Sequence, residues 1–162
     1  RFTRLDYYGY KQQTSDFKGI PLIGLGAGAR SYAGATHYST NYAISTQTSK
    51  EIIDSYINYD FDIKKIDYGI VLDEDEQKRR YTILNLVLSD LDYTEYYERF
   101  SSSLFDDFGD QFKAFENLNL VTINRENNRI KLTDKGFKFS SLVGSLFYSD
   151  KIKNLENKFV YV

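Results

Sequence analysis

The segment that decides the fold is 120–132, Leu-Val-Thr-Ile-Asn-Arg-Glu-Asn-Asn-Arg-Ile-Lys-Leu. Apolar and polar residues alternate on either side of the polar run 124–128, which is typical of two strands joined by a turn. The sequence before and after this segment has helical periodicity instead. We therefore predict a β-hairpin within a mainly helical region.

Helical patterns surround this hairpin. Before it, we predict one helix from about 73 to 91 and two shorter helices at 93–102 and 109–118. The first begins at a run of four acidic residues, which suits the positive end of a helix dipole. Its apolar face would consist of Ile83, Leu84, Val87, Leu88 and Leu91.

One further helix is predicted after the hairpin, from the N-cap Thr133 to about 148. Three helices, a hairpin and a closing helix are the element order of a winged helix. We therefore predict the α+β class, with a mainly helical, winged-helix-like domain over 63–162. Residues 1–62 form the other predicted domain.

The N-terminal domain has a weaker pattern. Residues 1–19 favour either a strand with a bulge or an edge strand, and Leu22 and Ile23 favour a short buried strand. The uncharged tract 33–49 has no helical period, so we predict an ordered, extended segment. Ser49 is the predicted cap of a helix over 50–58, and a strand or extended connector is predicted at 63–72.

Between these elements lies Gly-Leu-Gly-Ala-Gly-Ala-Arg-Ser-Tyr, residues 24–32. Glycine accepts positive φ and lets the backbone approach a ligand closely. The loop is therefore a candidate cofactor-binding segment through Gly24, Gly26, Gly28 and Ala29. A turn required only for tight packing is the alternative. A dinucleotide site is disfavoured, because the required helix and acidic residue do not follow the glycines.

Arg30 and His37 are the other candidates near this loop. Arg30 could bind a carboxylate or phosphate through two hydrogen bonds, or could pair with a nearby aspartate. His37 is the single histidine. Because no cysteine and no acidic neighbour accompanies it, we predict a structural histidine and not a metal ligand.

Composition excludes several functions. The chain has no cysteine, so it has neither a disulfide framework nor a thiolate metal site. The net charge of −2 gives no overall attraction to nucleic acid or to an anionic membrane. Residues 93–118, where a winged helix would contact DNA, carry six acidic and two basic side chains. We expect a soluble, cytoplasmic fragment that binds no nucleic acid and no membrane.

Three motifs together resemble a known family. They are the glycine segment 24–32, the helix start Leu72-Asp-x-x-Glu-x-x-Arg-Arg80, and the paired motifs Leu118-x-Leu-Val and Ile130-x-Leu-Thr-x-x-Gly136. In this order they resemble the C-terminal part of oxygen-independent coproporphyrinogen III oxidase-like radical S-adenosylmethionine (SAM) proteins. The resemblance covers most of 7–148.

The resemblance implies a partial α/β barrel upstream, where three cysteines hold a [4Fe-4S] cluster that cleaves SAM reductively. Residues 1–62 would then be the strand-and-loop remnant of that barrel. The glycine loop would lie beside the cofactor, and Arg30, Ser31 and Tyr32 would contact a small-molecule substrate, possibly a tetrapyrrole. The winged-helix-like domain would cover the active site.

Without cluster cysteines, this chain alone would be inactive. A winged-helix module that binds nucleic acid or protein is the alternative function.

Overall fold

The structure is a computed structural model that describes residues 20–39, 46–58, 69–88 and 91–158. The chain divides into two units, Arg1–Asp73 and Glu74–Val162. The boundary predicted at 62/63 and the strand predicted within 1–19 lie outside the described residues. Each unit contains helix and a small antiparallel sheet, so the predicted α+β class is confirmed.

The first unit contains a three-stranded antiparallel sheet in the order β1-β2-β3. Strand β1 is Arg30–Ala33, β2 is Thr36–Ser39 and β3 is Gly69–Val71. Helix α1 (Thr46–Asn58) lies between β2 and β3 in the chain. Gly34, with φ of 58°, lies in the turn that joins β1 to β2.

Two predictions in this unit are wrong. Helix α1 begins at Thr46, so Ser49 lies inside the helix and the tract 33–49 is not extended throughout. Leu22 forms only an isolated bridge to Tyr32, and Ile23 is 60% exposed. They do not form a buried strand, because only Leu22 pairs with the returning chain.

The second unit begins with helix α2 (Glu74–Val87) and the short strand β4 (Leu91–Asp92). Helices α3 (Tyr93–Phe100) and α4 (Leu104–Asn117) follow. The predicted hairpin is confirmed as β5 (Val121–Asn124) and β6 (Arg129–Leu132). Strand β6 is central in the antiparallel sheet, whose order is β4-β6-β5.

The chain after the hairpin forms shorter helices than predicted. Thr133 is the predicted N-cap, and its Oγ1 accepts the Gly136 N–H at 2.9 Å. The single closing helix is nevertheless two, α5 (Asp134–Lys138) and α6 (Ser140–Ser145), because Phe139 is not helical at φ −107° and ψ 19°. Helix α7 (Asp150–Lys158) was not predicted.

Helix α4 starts earlier than the predicted 109–118. Ser103 caps it by accepting the Phe105 N–H at 3.2 Å. Phe108 departs from helical geometry, with φ −138° and ψ 22°. A regular helical period therefore does not run through the whole of α4. Phe108 and Phe112 nevertheless enter the core, where each is almost completely buried.

The buried face of α2 differs from the predicted one. Val87 is 38% exposed, whereas Thr82, Asn85 and Leu86 are buried. The two polar side chains bond to the helix's own carbonyls: Thr82 Oγ1 donates to Lys78 O, and Asn85 Nδ2 donates to Tyr81 O. These hydrogen bonds lower the cost of burying polar groups.

A charged network joins α2, α3 and α4. Lys78 Nζ lies 3.2 Å from Asp107 Oδ2, and the Tyr96 hydroxyl donates to the same oxygen at 2.7 Å. Burial opposes ionisation of Asp107, but hydrogen bonds from Tyr96, Ser102 and Lys78 outweigh it and hold the carboxyl pKa below its ordinary value of 3.8. Burial raises the Tyr96 pKa, and its bond to Asp107 raises it further.

The substitution Asp107→Asn should therefore destabilise the fold at neutral pH, by about 1–3 kcal/mol, because it leaves Lys78 without this carboxylate. The stabilisation by Asp107 is complete above the ordinary pKa of 3.8 and is lost as the pH falls through the lower folded-state pKa. Urea unfolding followed by circular dichroism measures the free energy of unfolding. The variant should have a lower value than wild type at pH 7, and this difference should shrink below about pH 4.

The control is Asp106→Asn, which changes an exposed neighbour on the same helix. Equal losses from the two substitutions, or a loss from Asp107→Asn that does not depend on pH, would contradict the assigned role of the network.

Candidate functional site

The candidate site is the glycine loop, defined as residues 23–29, together with strand β1. Leu22 and Tyr32 close the loop with two main-chain hydrogen bonds, each of 2.8 Å. The loop therefore joins two antiparallel stretches of chain, and its residues project beyond that pair.

Two glycines of the loop have a backbone that other residues rarely adopt. Gly26 has φ of 114° and Gly28 has φ of 73°. The Ala29 N–H donates to Gly26 O at 3.1 Å and closes the turn between them. A Cβ added at either glycine would have no atom within 4 Å. Glycine is thus needed for conformation here, and the space in front of both residues is open.

Gly24 is needed for a different reason. A Cβ built on it would lie 2.5 Å from the carbonyl oxygen of Arg30. The close approach at this glycine is therefore to the chain itself. Sequence reasoning treated all three glycines as one ligand-facing group, but the geometry separates Gly24 from the other two.

The buried side chain of Ser31, in β1, forms a hydrogen bond with the glycine loop. Its side chain is only 1% exposed, and its Oγ accepts the Gly24 N–H at 3.0 Å. This internal bond could not be predicted from sequence, because a serine between an arginine and a tyrosine is common in a polar strand. The predicted substrate contact of Ser31 stays a prediction.

Arg30 and Tyr32 lie on the opposite face of β1 from Ser31, because side chains alternate along a strand. Arg30 is exposed. Tyr32 pairs with His37 across β1 and β2, and their rings pack edge to face at 4.6 Å. This face therefore presents a guanidinium beside an aromatic pair, and His37 belongs to it although sequence reasoning placed it outside the site.

Apolar side chains extend the exposed part of the loop. Leu25 is 89% exposed and Ile23 is 60% exposed. A solvent-exposed apolar loop next to a cation can contact an amphiphilic molecule or another protein surface. The predicted site residues are thus adjacent, but they belong to two opposite faces of one strand.

Within the described ranges, no group of three or more His, Cys, Asp or Glu side chains could hold a metal ion. The chain contains no cysteine, so its residues do not fit a thiolate-ligated iron–sulfur cluster. The helices described in the structure include none that is both long and apolar enough to cross a bilayer.

The fold is similar to that of coproporphyrinogen III oxidase (HemN) from Escherichia coli, which is a radical SAM enzyme. The match has a TM-score of 0.53 with 22% sequence identity, and it covers 78% of this chain and 28% of that protein. No family model and no curated protein sequence matches the chain. The resemblance found in the sequence motifs is confirmed at the level of the fold.

Replacing Ser31 with alanine tests the internal bond of the loop. The Gly24 N–H would lose its side-chain acceptor. We expect the free energy of local opening of the loop to fall by about 1–3 kcal/mol. Amide hydrogen exchange measured by NMR should show Gly24 exchanging at least about fivefold faster. Ser39→Ala on β2 is the control, and an unchanged Gly24 rate in Ser31→Ala would show that the bond does not hold the loop.

Proposed function

We propose that this chain is the C-terminal part of a radical SAM enzyme of the coproporphyrinogen oxidase-like family. The observation that carries the proposal is the fold similarity over 78% of the chain. The ordered sequence motifs support it independently. Because the chain spans 28% of the matched protein, the partner of this part would be an upstream radical SAM barrel in the same polypeptide.

The glycine loop would form the cofactor-facing edge of the barrel. Within the described part of the chain, the Gly26 N–H makes no hydrogen bond, and the space before Gly26 is open. Main-chain N–H groups in such turns favour negatively polarised ligand atoms, such as the SAM carboxylate. The hydrogen bond between Gly24 and Ser31 would hold the loop in place. Gly28 and Ala29, which are also predicted to contact the cofactor, would lie beside Gly26.

The iron–sulfur cluster, when bound by upstream cysteines, would supply the electron for reductive cleavage of SAM. The residues of this chain would bind and orient instead. Arg30 would hold an anionic group of the substrate, and Tyr32 would provide an aromatic surface beside it. A tetrapyrrole with carboxylate side chains has both features, and we propose this substrate class by analogy with the matched oxidase.

The second unit would act as a winged-helix-like cover for the active site. Its helices α2, α3 and α4, followed by the β5–β6 hairpin, have the element order of a winged helix. That order also suits the alternative, a module that binds nucleic acid or protein. DNA binding is disfavoured because residues 93–118, which include α3 and α4, carry six acidic and two basic side chains. Binding to a duplex requires neutralisation of its phosphates.

The test is anaerobic reconstitution of the full-length protein. We expect an iron–sulfur absorption spectrum and reductive formation of 5′-deoxyadenosine from SAM. Arg30→Ala should retain the cluster but lower turnover of a carboxylated tetrapyrrole by about 10- to 100-fold, because a charge-assisted hydrogen bond is lost. Lys50→Ala, an exposed cation on α1, is the control.

Absence of both cluster binding and SAM cleavage in the full-length protein would remove the enzyme proposal. Retention of both, with equal turnover in the Arg30→Ala and Lys50→Ala variants, would remove only the assignment of Arg30.

A further inference from the structure

The β5–β6 hairpin forms an open concave surface. Its volume is about 570 Å³, and it is lined mainly by polar side chains of the two strands and their turn. The surface lies within the second unit and shares no residue with the glycine loop. We call it the hairpin pocket; its polar lining includes Thr122, Asn124, Arg125, Asn127, Arg129 and Lys131.

Strand register explains why these residues share a face. Ile123 pairs with Ile130, which is completely buried, so this pair marks the core side. The neighbouring pairs Thr122–Lys131 and Asn124–Arg129 must then face outward. Cross-strand partners lie about 5 Å apart, so a hydroxyl, an amide and two cations are concentrated on a small area.

Most of the free hydrogen-bonding capacity on this face belongs to donors. Asn124 Oδ1 already accepts the N–H groups of Glu126 and Asn127, at 2.9 and 3.2 Å, which leaves its amide NH₂ as a donor. Arg129 pairs with Asp92 at 3.2 Å. Arg125 and Lys131, by contrast, make no ion pair with any residue that the structure describes.

We propose that the hairpin pocket binds the oxyanion group of a small ligand, either a phosphate or a carboxylate. Such a group accepts several hydrogen bonds at once, and a guanidinium can bind it through two of them. The one carboxylate in the lining, Glu126, would disfavour ligands that carry acidic groups on every side.

A long polyanion is disfavoured by the rest of the unit. Residues 93–118 carry an excess of acidic side chains, so a nucleic acid that extended from the hairpin onto α3 or α4 would be repelled. The three cations of the lining, Arg125, Arg129 and Lys131, all belong to the hairpin. A compact anion would accept hydrogen bonds from the hairpin side chains without contacting α3 or α4.

NMR titration of the 162-residue chain with inorganic phosphate, and separately with acetate, tests the proposal. Saturable amide shifts are expected at 122–131 with at least one of these probes, and the tighter one identifies phosphate or carboxylate as the preferred group. The double substitution Arg125→Ala/Lys131→Ala should weaken that affinity at least about tenfold. Lys113→Ala, an exposed cation on α4, should leave it unchanged.

Both sites of substitution are at the surface of the hairpin, and the amide spectrum of each variant verifies that the fold is retained. The proposal is overturned if neither probe causes saturable shifts at the hairpin, or if the double variant and Lys113→Ala weaken binding equally. Tighter, salt-sensitive binding of a DNA duplex at the same residues would overturn the small-ligand assignment in favour of nucleic acid. None of these outcomes depends on whether the chain belongs to a radical SAM enzyme.

Discussion

The second unit depends on the burial of one aromatic side chain, Phe147. Its ring lies 5.5 to 5.7 Å from three rings of α4, namely Phe108, Phe112 and Phe115. Its carbonyl accepts a hydrogen bond from Arg79 of α2 at 3.0 Å. Because one residue fixes two helices, the segment after α6 closes the core. The helices in turn support the sheet that carries the hairpin pocket, since Ile130 of β6 is part of the same buried cluster.

Among the described residues, a small set of hydrogen bonds holds the glycine loop. Two main-chain bonds join Leu22 and Tyr32, and one bond joins Gly24 to Ser31. Ile23 and Leu25 are exposed, and the space in front of Gly26 and Gly28 is open. A segment with this local structure can gain contacts from a ligand or from another domain at little cost in its own packing. For this reason we associate the glycine loop with ligand binding. The aromatic core of the second unit stabilises the fold instead.

Features set by local sequence could be predicted, and features set by tertiary contacts could not. The hairpin was predicted because alternation and a polar turn lie within thirteen consecutive residues, and the Thr133 cap because it directly precedes a helix. Burial of Asn85 was missed, since it depends on a hydrogen bond to Tyr81 that polarity does not reveal. For the site, sequence placed Arg30 and Tyr32 together, but it could not place His37 beside Tyr32 without the β1–β2 register.

We propose that the glycine loop faces the cofactor. Hydrogen–deuterium exchange in the reconstituted full-length protein, with and without SAM, measures this most directly. We expect slower exchange in the presence of SAM at the main-chain amides around Gly26, with unchanged exchange at the hairpin residues 122–131. Unchanged exchange throughout the loop when SAM is bound would contradict it.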